Sequence, residues 1–466
     1  MIGGAPRRAR PADRDRSDAG RGRRIGAAIA TTVVVGSMVG TGVFTTTGLL
    51  LADLGAPLAV LAAWAVGGLL AVCGALSYAE LAAALPRNGG EYQLLGRIYH
   101  PAAGFVAGVI SLVVGFSAPL AASSLAFGRY LAAAFPGVAP TTAALAVLAA
   151  AAALHGVQVR FGARAQGVLT AAEVLLAVAL AVATAARGDP GRLLETTASG
   201  GAPTGAAFAA ALVYVSFAYS GWNGAAYLAG EVARPARTLP VALVGGTAIV
   251  VALYLGLNLA FLVAAPPAEL AGVVEVAQVA AARSAGPGAG RAVAALVALC
   301  LASSVGATLL AGSRVQAAIG ADHPALGFLS RRTRGGAPAA AVGVQAAVAA
   351  ALILTTSFAA LLAYVGFTLS VVSGACVLGV VVLRRREPGL ARPYRTWGYP
   401  VTPLLFVTLS AWMVVHAVAR KPAACWAGLA TLGGAALAYA VLRRVRCAAA
   451  PRAGDHDGRP PGEHAA

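Results

Sequence analysis

Apolar residues run along this chain in blocks of about 20, the length an α-helix needs to cross a bilayer core, and the charged residues fall between the blocks. The pattern predicts twelve spans, near residues 25–51, 57–84, 98–131, 138–160, 164–187, 204–230, 238–265, 288–320, 337–357, 358–384, 398–419 and 423–443. Two of them are broken near their middles. Span 1 is interrupted by Gly36-Ser-Met-Val-Gly-Thr-Gly-Val-Phe44 and span 6 by Phe217-Ala-Tyr-Ser-Gly-Trp-Asn223.

In lipid, a helix interrupted by glycines must find new partners for its freed N–H and C=O groups, so such breaks survive where they line a protein cavity. Spans 1 to 5 would start on one face of the membrane and spans 6 to 10 on the other, so a repeat of five has inverted topology. Corresponding breaks in two inverted halves point to a transporter's binding site. Taken alone, Gly36-x-x-x-Gly40 also reads as a small-residue packing face; the second break argues against that.

Composition fits an integral membrane protein: 59% of 466 residues are hydrophobic and 11% charged. A net charge of +18 would direct a soluble protein to nucleic acid, but the placement of the charges excludes that reading. With the N-terminus inside, the tails and the loops after spans 2, 4, 6, 8 and 10 hold 28 of the 35 basic residues. This bias puts both termini in the cytoplasm, with anionic lipid as the neighbour of the arginines. Residues 1–24 and 447–466 are too polar to fold and are expected as disordered cytoplasmic tails. The first apolar run is far longer than a signal-peptide core, so span 1 is read as retained. The five cysteines, Cys73, Cys300, Cys376, Cys425 and Cys447, lack metal-ligand spacing. No zinc, nucleophile-elbow or phosphate-loop motif stands in a suitable context, so neither a cofactor nor an enzyme is expected.

Six stretches, in order from span 1 to span 11, resemble the amino acid, polyamine and organocation superfamily, and within it most the L-type amino acid transporters and related bacterial permeases. They are GSMVGTGVF (36–44), SYAELAAALPRNGGEYQLL (77–95), FAYSGWN (217–223), EVARPARTLP (231–240), SSVGATLLAGSRV (303–315), and LLAYVGFTLS with LRRREPGLARPYRTWGYP (361–370, 383–400). The resemblance implies an all-α membrane protein of the leucine-transporter type. Residues 25–187 and 204–384 would form two inverted repeats of five spans with helices 1 and 6 discontinuous, and 398–443 would add spans 11 and 12. It implies a secondary transporter moving amino acids across the cell membrane by alternating access. The heavier L-type relatives link to a single-span glycoprotein through a cysteine between spans 3 and 4; the loop Phe135 to Thr142 has none, so no covalent partner is expected.

Chemistry at the breaks agrees. If the outer half of span 1 begins near Gly42, the amides of Gly40, Thr41 and Gly42, next to Val39, are free at the positive end of a helix dipole and suit a carboxylate. If the outer half of span 6 ends near Phe217, the carbonyls of Phe217, Ala218 and Tyr219 suit an ammonium group. An α-amino acid bridges both. By similarity Phe217 would be an aromatic gate, with Ser220, Gly221, Trp222 and Asn223 around the side-chain pocket; aromatic and polar packing around an unwound turn is the alternative for these residues.

Glu173 lies about nine residues into span 5, roughly 14 Å along the axis. A charge there costs at least about 3 kcal/mol on insertion scales, so a neutral, paired or functional carboxyl is expected. Many relatives carry lysine at this place, linked to proton coupling or to bracing span 1 against span 8. Glu173 is therefore expected either to couple proton movement or to make a structural hydrogen bond. Ser303 and Ser304 match the span 8 region where sodium-coupled relatives place hydroxyl ligands, but no carboxylate stands beside them in the sequence. Glu80 and Glu231, at the inner ends of spans 2 and 6, are read as cytoplasmic-gate anchors paired with arginines. The competing readings are an amine or polyamine permease, whose ligands lack a carboxylate, and a non-transporting amino acid sensor on the same fold.

Overall fold

Each expected span is helical in the computed structural model, which describes residues 25–157, 163–197, 204–322 and 324–449. Among the described residues nine helices are long and apolar enough to cross a membrane: Ala27–Leu54, Pro57–Ala84, Pro101–Ala134, Gly167–Ala185, Pro235–Ala264, Pro287–Asp322, Phe358–Arg386, Val401–Arg420 and Pro422–Arg444. The shorter apolar helices Pro140–Gly156, Gly205–Ala218 and Ala339–Thr355 fill the places of spans 4, 6 and 9. Residues 1–24 and 450–466 lie outside the described residues, and the last helix, Pro422–Ala449, takes in the first three residues of the expected tail.

Local chemistry sets the boundaries. Gly55, at φ 69°, ends span 1 with its amide bonded to Leu51 O, and Pro57 opens span 2 two residues on. Ser357 caps span 10 by accepting from the amide of Ala360, which separates it from span 9. Span 1 divides into Ala27–Met38 and Thr41–Leu54. Span 6 is α-helical only over Gly205–Ala218; the expected continuation to 230 is a turn followed by a 3-10 segment, Gly224–Glu231. Gly221, Gly224 and Gly230 are poor helix formers, and the tighter winding brings this segment against span 1.

Packing follows one rule. Span 1 lies on span 6, span 2 on span 7, span 3 on span 8 and span 4 on span 9. Span 5 meets spans 1 and 7, and span 10 meets spans 6 and 2. Two short helices obey it too: Glu91–Ile98, before span 3, lies on span 10, and Val276–Ala285, before span 8, lies on span 5. The pattern is unchanged when every span is exchanged for the one five places away. The largest fully buried side chains include Trp64, Tyr78, Tyr130, Tyr219, Tyr254 and Phe44, while Leu175, Val182, Val415 and Leu437 are exposed, as apolar side chains meeting lipid would be.

The start of span 1 is tied to the end of span 6: the Ile25 amide donates to Glu231 O and the Ala233 amide to Ile25 O. On this Ile25 face Arg97 makes a two-pronged pair with Glu387, at 2.7 and 2.8 Å. The hydrogen bond from Arg97 outweighs desolvation and holds the Glu387 carboxyl below the usual carboxylate range. A lowered folded-state pKa gives stability that is present at neutral pH and lost as pH falls through that value. Arg97→Ala should therefore lower the melting temperature slightly at pH 7, because the pair is exposed, and the gap from the parent should close below about pH 4. Melting curves in detergent from pH 3 to 7 check this; a gap that stays constant removes the assignment.

Candidate functional site

The two breaks touch. A Cβ on Gly42 would lie 2.4 Å from Ala218 Cα, and one on Gly221 would lie 2.3 Å from the carbonyl oxygen of Ser37. Gly221 also holds φ +100°, a region open to glycine at little cost. The outer half of span 1 starts at Thr41, with Gly40 as an N-cap that has no side chain to offer. Among the described residues, no backbone acceptor takes the amides of Gly40, Thr41 or Gly42. These are the orphan donors every helix start leaves, pointed into the gap between the half-helices.

Opposite them the supply of carbonyls is smaller than expected. Phe217 O accepts from the Ser220 amide at 2.9 Å, so it is already engaged; among the described residues no backbone amide donates to Ala218 O or Tyr219 O. The freed carbonyl of Met38, on the inner half of span 1, is taken by the Tyr254 hydroxyl at 2.6 Å. Thr41 Oγ1 meets Ser123 Oγ at 2.6 Å and anchors the outer half to span 3, while the Tyr130 hydroxyl donates to Phe44 O at 2.6 Å. Neither tyrosine stands in a motif; the available signal was a hydroxyl on an apolar helix, half-way along it for Tyr254 and in its last turns for Tyr130.

The open side of the gap faces span 8. A Cβ on Gly40 would meet only Ser304 Oγ, at 3.6 Å. The Glu173 carboxyl interacts with the same Ser304 hydroxyl. Glu173 is 4% exposed, and its Oε1 has no hydrogen-bond partner. Thr170 Oγ1, one helical turn away on the face that covers Gly36, and Ser303 Oγ are also buried without partners. The break, Ser304 and Glu173 thus form one continuous polar track through an apolar core.

Other expected pocket residues point elsewhere. The Trp222 ring stands edge-on to Tyr78 at 4.7 Å and to Phe406 at 6.1 Å, over Gly74, so it packs toward spans 2 and 11. The Asn223 side-chain amide donates to Glu91 Oε1 at 2.9 Å. Tyr219 turns its ring to Trp64 and Tyr254 and donates to Trp64 O at 3.1 Å. Phe217 is buried against the break, and Ser220 is half-buried.

Glu80, 2% exposed, receives two bonds from Arg384 at 2.6 and 2.8 Å, two from Thr396, and has Arg392 Nε at 3.6 Å. Glu231 differs from expectation: among the described residues it accepts from the Asn88 side chain at 3.1 Å and joins no arginine. The 3-10 winding turns it toward the glycine-rich turn after span 2. Glu91, read in the sequence only as part of the stretch 77–95 and given no role, is buried and accepts from Tyr78, Asn223, Tyr227 and Ser373.

Comparison with known proteins gives a consistent picture. Residues 26–437 match the amino acid permease family. The b(0,+)-type amino acid transporter 1 of Homo sapiens is 28% identical over 411 residues, covering 86% of this chain and 83% of the relative. The large neutral amino acids transporter small subunit 2 of Homo sapiens is 28% identical over 425 residues, covering 88% and 78%. The Asc-type amino acid transporter 1 of Rattus norvegicus is 27% identical over 425 residues, covering 87% and 78%.

Proposed function

Because this chain belongs to the amino acid permease family and is a multi-pass secondary transporter of amino acids, we propose that the two touching breaks are its binding site and that it holds an α-amino acid between them. The observation that carries this is the pairing of capless amides at Gly40, Thr41 and Gly42 with the carbonyls of Ala218 and Tyr219. A carboxylate meets the amides, an ammonium meets the carbonyls, and the side chain extends past Gly40 toward Ser304. Val39 and Phe217 flank the ligand, and Trp222 and Asn223 support it from behind.

Residues 25–187 and 204–384 form two inverted repeats, with 398–443 as an added pair of spans, and spans 1, 2, 6 and 7 rock against spans 3, 4, 8 and 9 about this site. The Ile25 face is cytoplasmic, supported by the arginine bias of the loops. Glu80, through Arg384, braces the inner ends of spans 2 and 10, and Glu231, through Asn88, the inner end of span 6. Reconstitution in liposomes with labelled amino acids tests the reading. Uptake competed by amino acids but not by their decarboxylated amines is expected; competition by amines alone would make the chain an amine permease, and binding without uptake a sensor.

Glu173 couples proton movement to transport, with Ser303 and Ser304 as its polar surroundings. Its support is geometric: a buried carboxyl with an unpartnered oxygen, one hydroxyl away from the break. Glu173→Gln should lose the pH dependence of uptake between pH 5 and 8 while keeping exchange of one amino acid for another. A pH profile equal to the parent's would leave Glu173 only a structural role.

A further inference from the structure

Glu91 opens the short helix Glu91–Ile98 and is 3% exposed, yet among the described residues no arginine, lysine or histidine pairs with it. Its partners are four neutral donors from three spans. Oε1 accepts from the Tyr78 hydroxyl of span 2 at 2.7 Å, the Asn223 amide of span 6 at 2.9 Å and the Ser373 hydroxyl of span 10 at 3.3 Å. Oε2 accepts from the Tyr227 hydroxyl of span 6 at 2.9 Å. A buried carboxyl without a counter-charge is tolerated only while such donors stay in place. Span 6 supplies one donor to each oxygen, so withdrawing its inner segment leaves Oε2 without a donor and Oε1 with Tyr78 and Ser373 alone.

The surrounding backbone is shaped to the same contact. Gly89 and Gly90 hold φ +116° and +54°, and a Cβ on Gly90 would strike the Tyr227 ring at 2.8 Å. The Gly89 amide donates to Tyr227 O at 3.0 Å, and Asn88 Oδ1 takes the Gly230 amide at 2.9 Å. The turn after span 2 therefore grips the 3-10 segment along its length, and Asn223 joins this grip to the edge of the break.

We propose that Glu91 is the latch of the cytoplasmic gate, a positioning residue that holds the inner segment of span 6 shut, with Asn223 carrying the state of the break to it. The inference rests on the transport reading for its meaning, but its geometry is testable without a substrate. Cys376, fully buried on span 10 beside the Tyr78 hydroxyl, is a native reporter of the latch. Cys425, equally buried at the opposite end of the molecule, is a native control.

The full-length protein in liposomes is treated with a maleimide, and labelling at Cys376 and Cys425 is followed separately by mass spectrometry. Tyr227→Phe removes one hydroxyl and opens no cavity; Glu91→Ala removes the latch outright. Each should speed labelling of Cys376 by about tenfold or more, the effect of one lost hydrogen bond to a charged group, and leave Cys425 unchanged. Glu91→Gln, which keeps one acceptor oxygen, should fall between. Unchanged Cys376 rates in both Tyr227→Phe and Glu91→Ala overturn the latch, as does equal acceleration at Cys425, which marks general loosening. If the parent takes up no amino acid, the transport reading fails while the labelling result still judges the latch.

Discussion

Gly42→Ala is expected to abolish amino acid uptake and to destabilise the protein, whereas Gly40→Ala, two residues away, is expected to abolish uptake alone. The difference lies in what a methyl group meets. At Gly42 it would stand 2.4 Å from the Cα of Ala218, a backbone atom that cannot turn aside, so the half-helices must separate. Overpacking of this kind costs about 1–3 kcal/mol. At Gly40 the same group finds only Ser304 Oγ at 3.6 Å, ordinary contact, and φ there, −179°, lies outside the left-handed region that favours glycine. Stability should hold within about 1 kcal/mol. The methyl instead enters the space between the break and Ser304 that the bound amino acid would fill, and a displacement of about 1 Å at a binding site costs up to about a hundredfold in rate. Melting curves and initial uptake rates, measured on both variants, separate the two effects. Full uptake by Gly40→Ala would move the carboxylate away from the break.

The second large effect is at Glu80. Glu80→Ala leaves Arg384 and Arg392 facing each other across an empty acceptor, and Arg392 is only 8% exposed at its side chain. Removing one partner of a buried ion pair typically costs about 3–5 kcal/mol. Arg384→Ala should cost less, because Arg392 Nε and both Thr396 donors remain near the carboxylate. Thermal unfolding in detergent ranks the two; a larger loss for Arg384→Ala would mean that the cation–π contact of Arg384 over Tyr399, at 3.8 Å, outweighs the carboxylate.

Span boundaries and both breaks were legible because they rest on local chemistry. Long apolar runs read as helices in lipid, and glycine-containing breaks at matching depths in spans 1 and 6 read together as interruptions, where one alone would also fit a packing face. The direction of side chains beyond the break was not legible. Trp222 and Asn223 follow Gly221, whose positive φ turns the chain so that both leave the gap; a sequence gives the glycine but not the sign of its torsion. Glu91 escaped for a related reason. Standing after Pro86-Arg-Asn-Gly-Gly, it reads as part of a solvated turn, although Leu94, Leu95 and Ile98 at helical spacing behind it were the sign of a buried face. Glu231 was expected to find an arginine because arginines follow it in the chain, and the 3-10 winding instead delivers it to Asn88.

The short helix Val276–Ala285 is the counterpart of Glu91–Ile98 on the opposite face, and it too is preceded or opened by an acid, Glu275. Glu275 stands 3.9 Å from Arg129, and both are partly open to water. The two corresponding helices are therefore fastened unlike each other: at Glu275 by a partly exposed ion pair that dissolved salt weakens, and at Glu91 by a sheltered set of hydrogen bonds. Dissolved salt should loosen the contact at Glu275 before the one at Glu91, and on the Ile25 face it reaches only fastenings such as the exposed Arg97–Glu387 pair that lie outside this set.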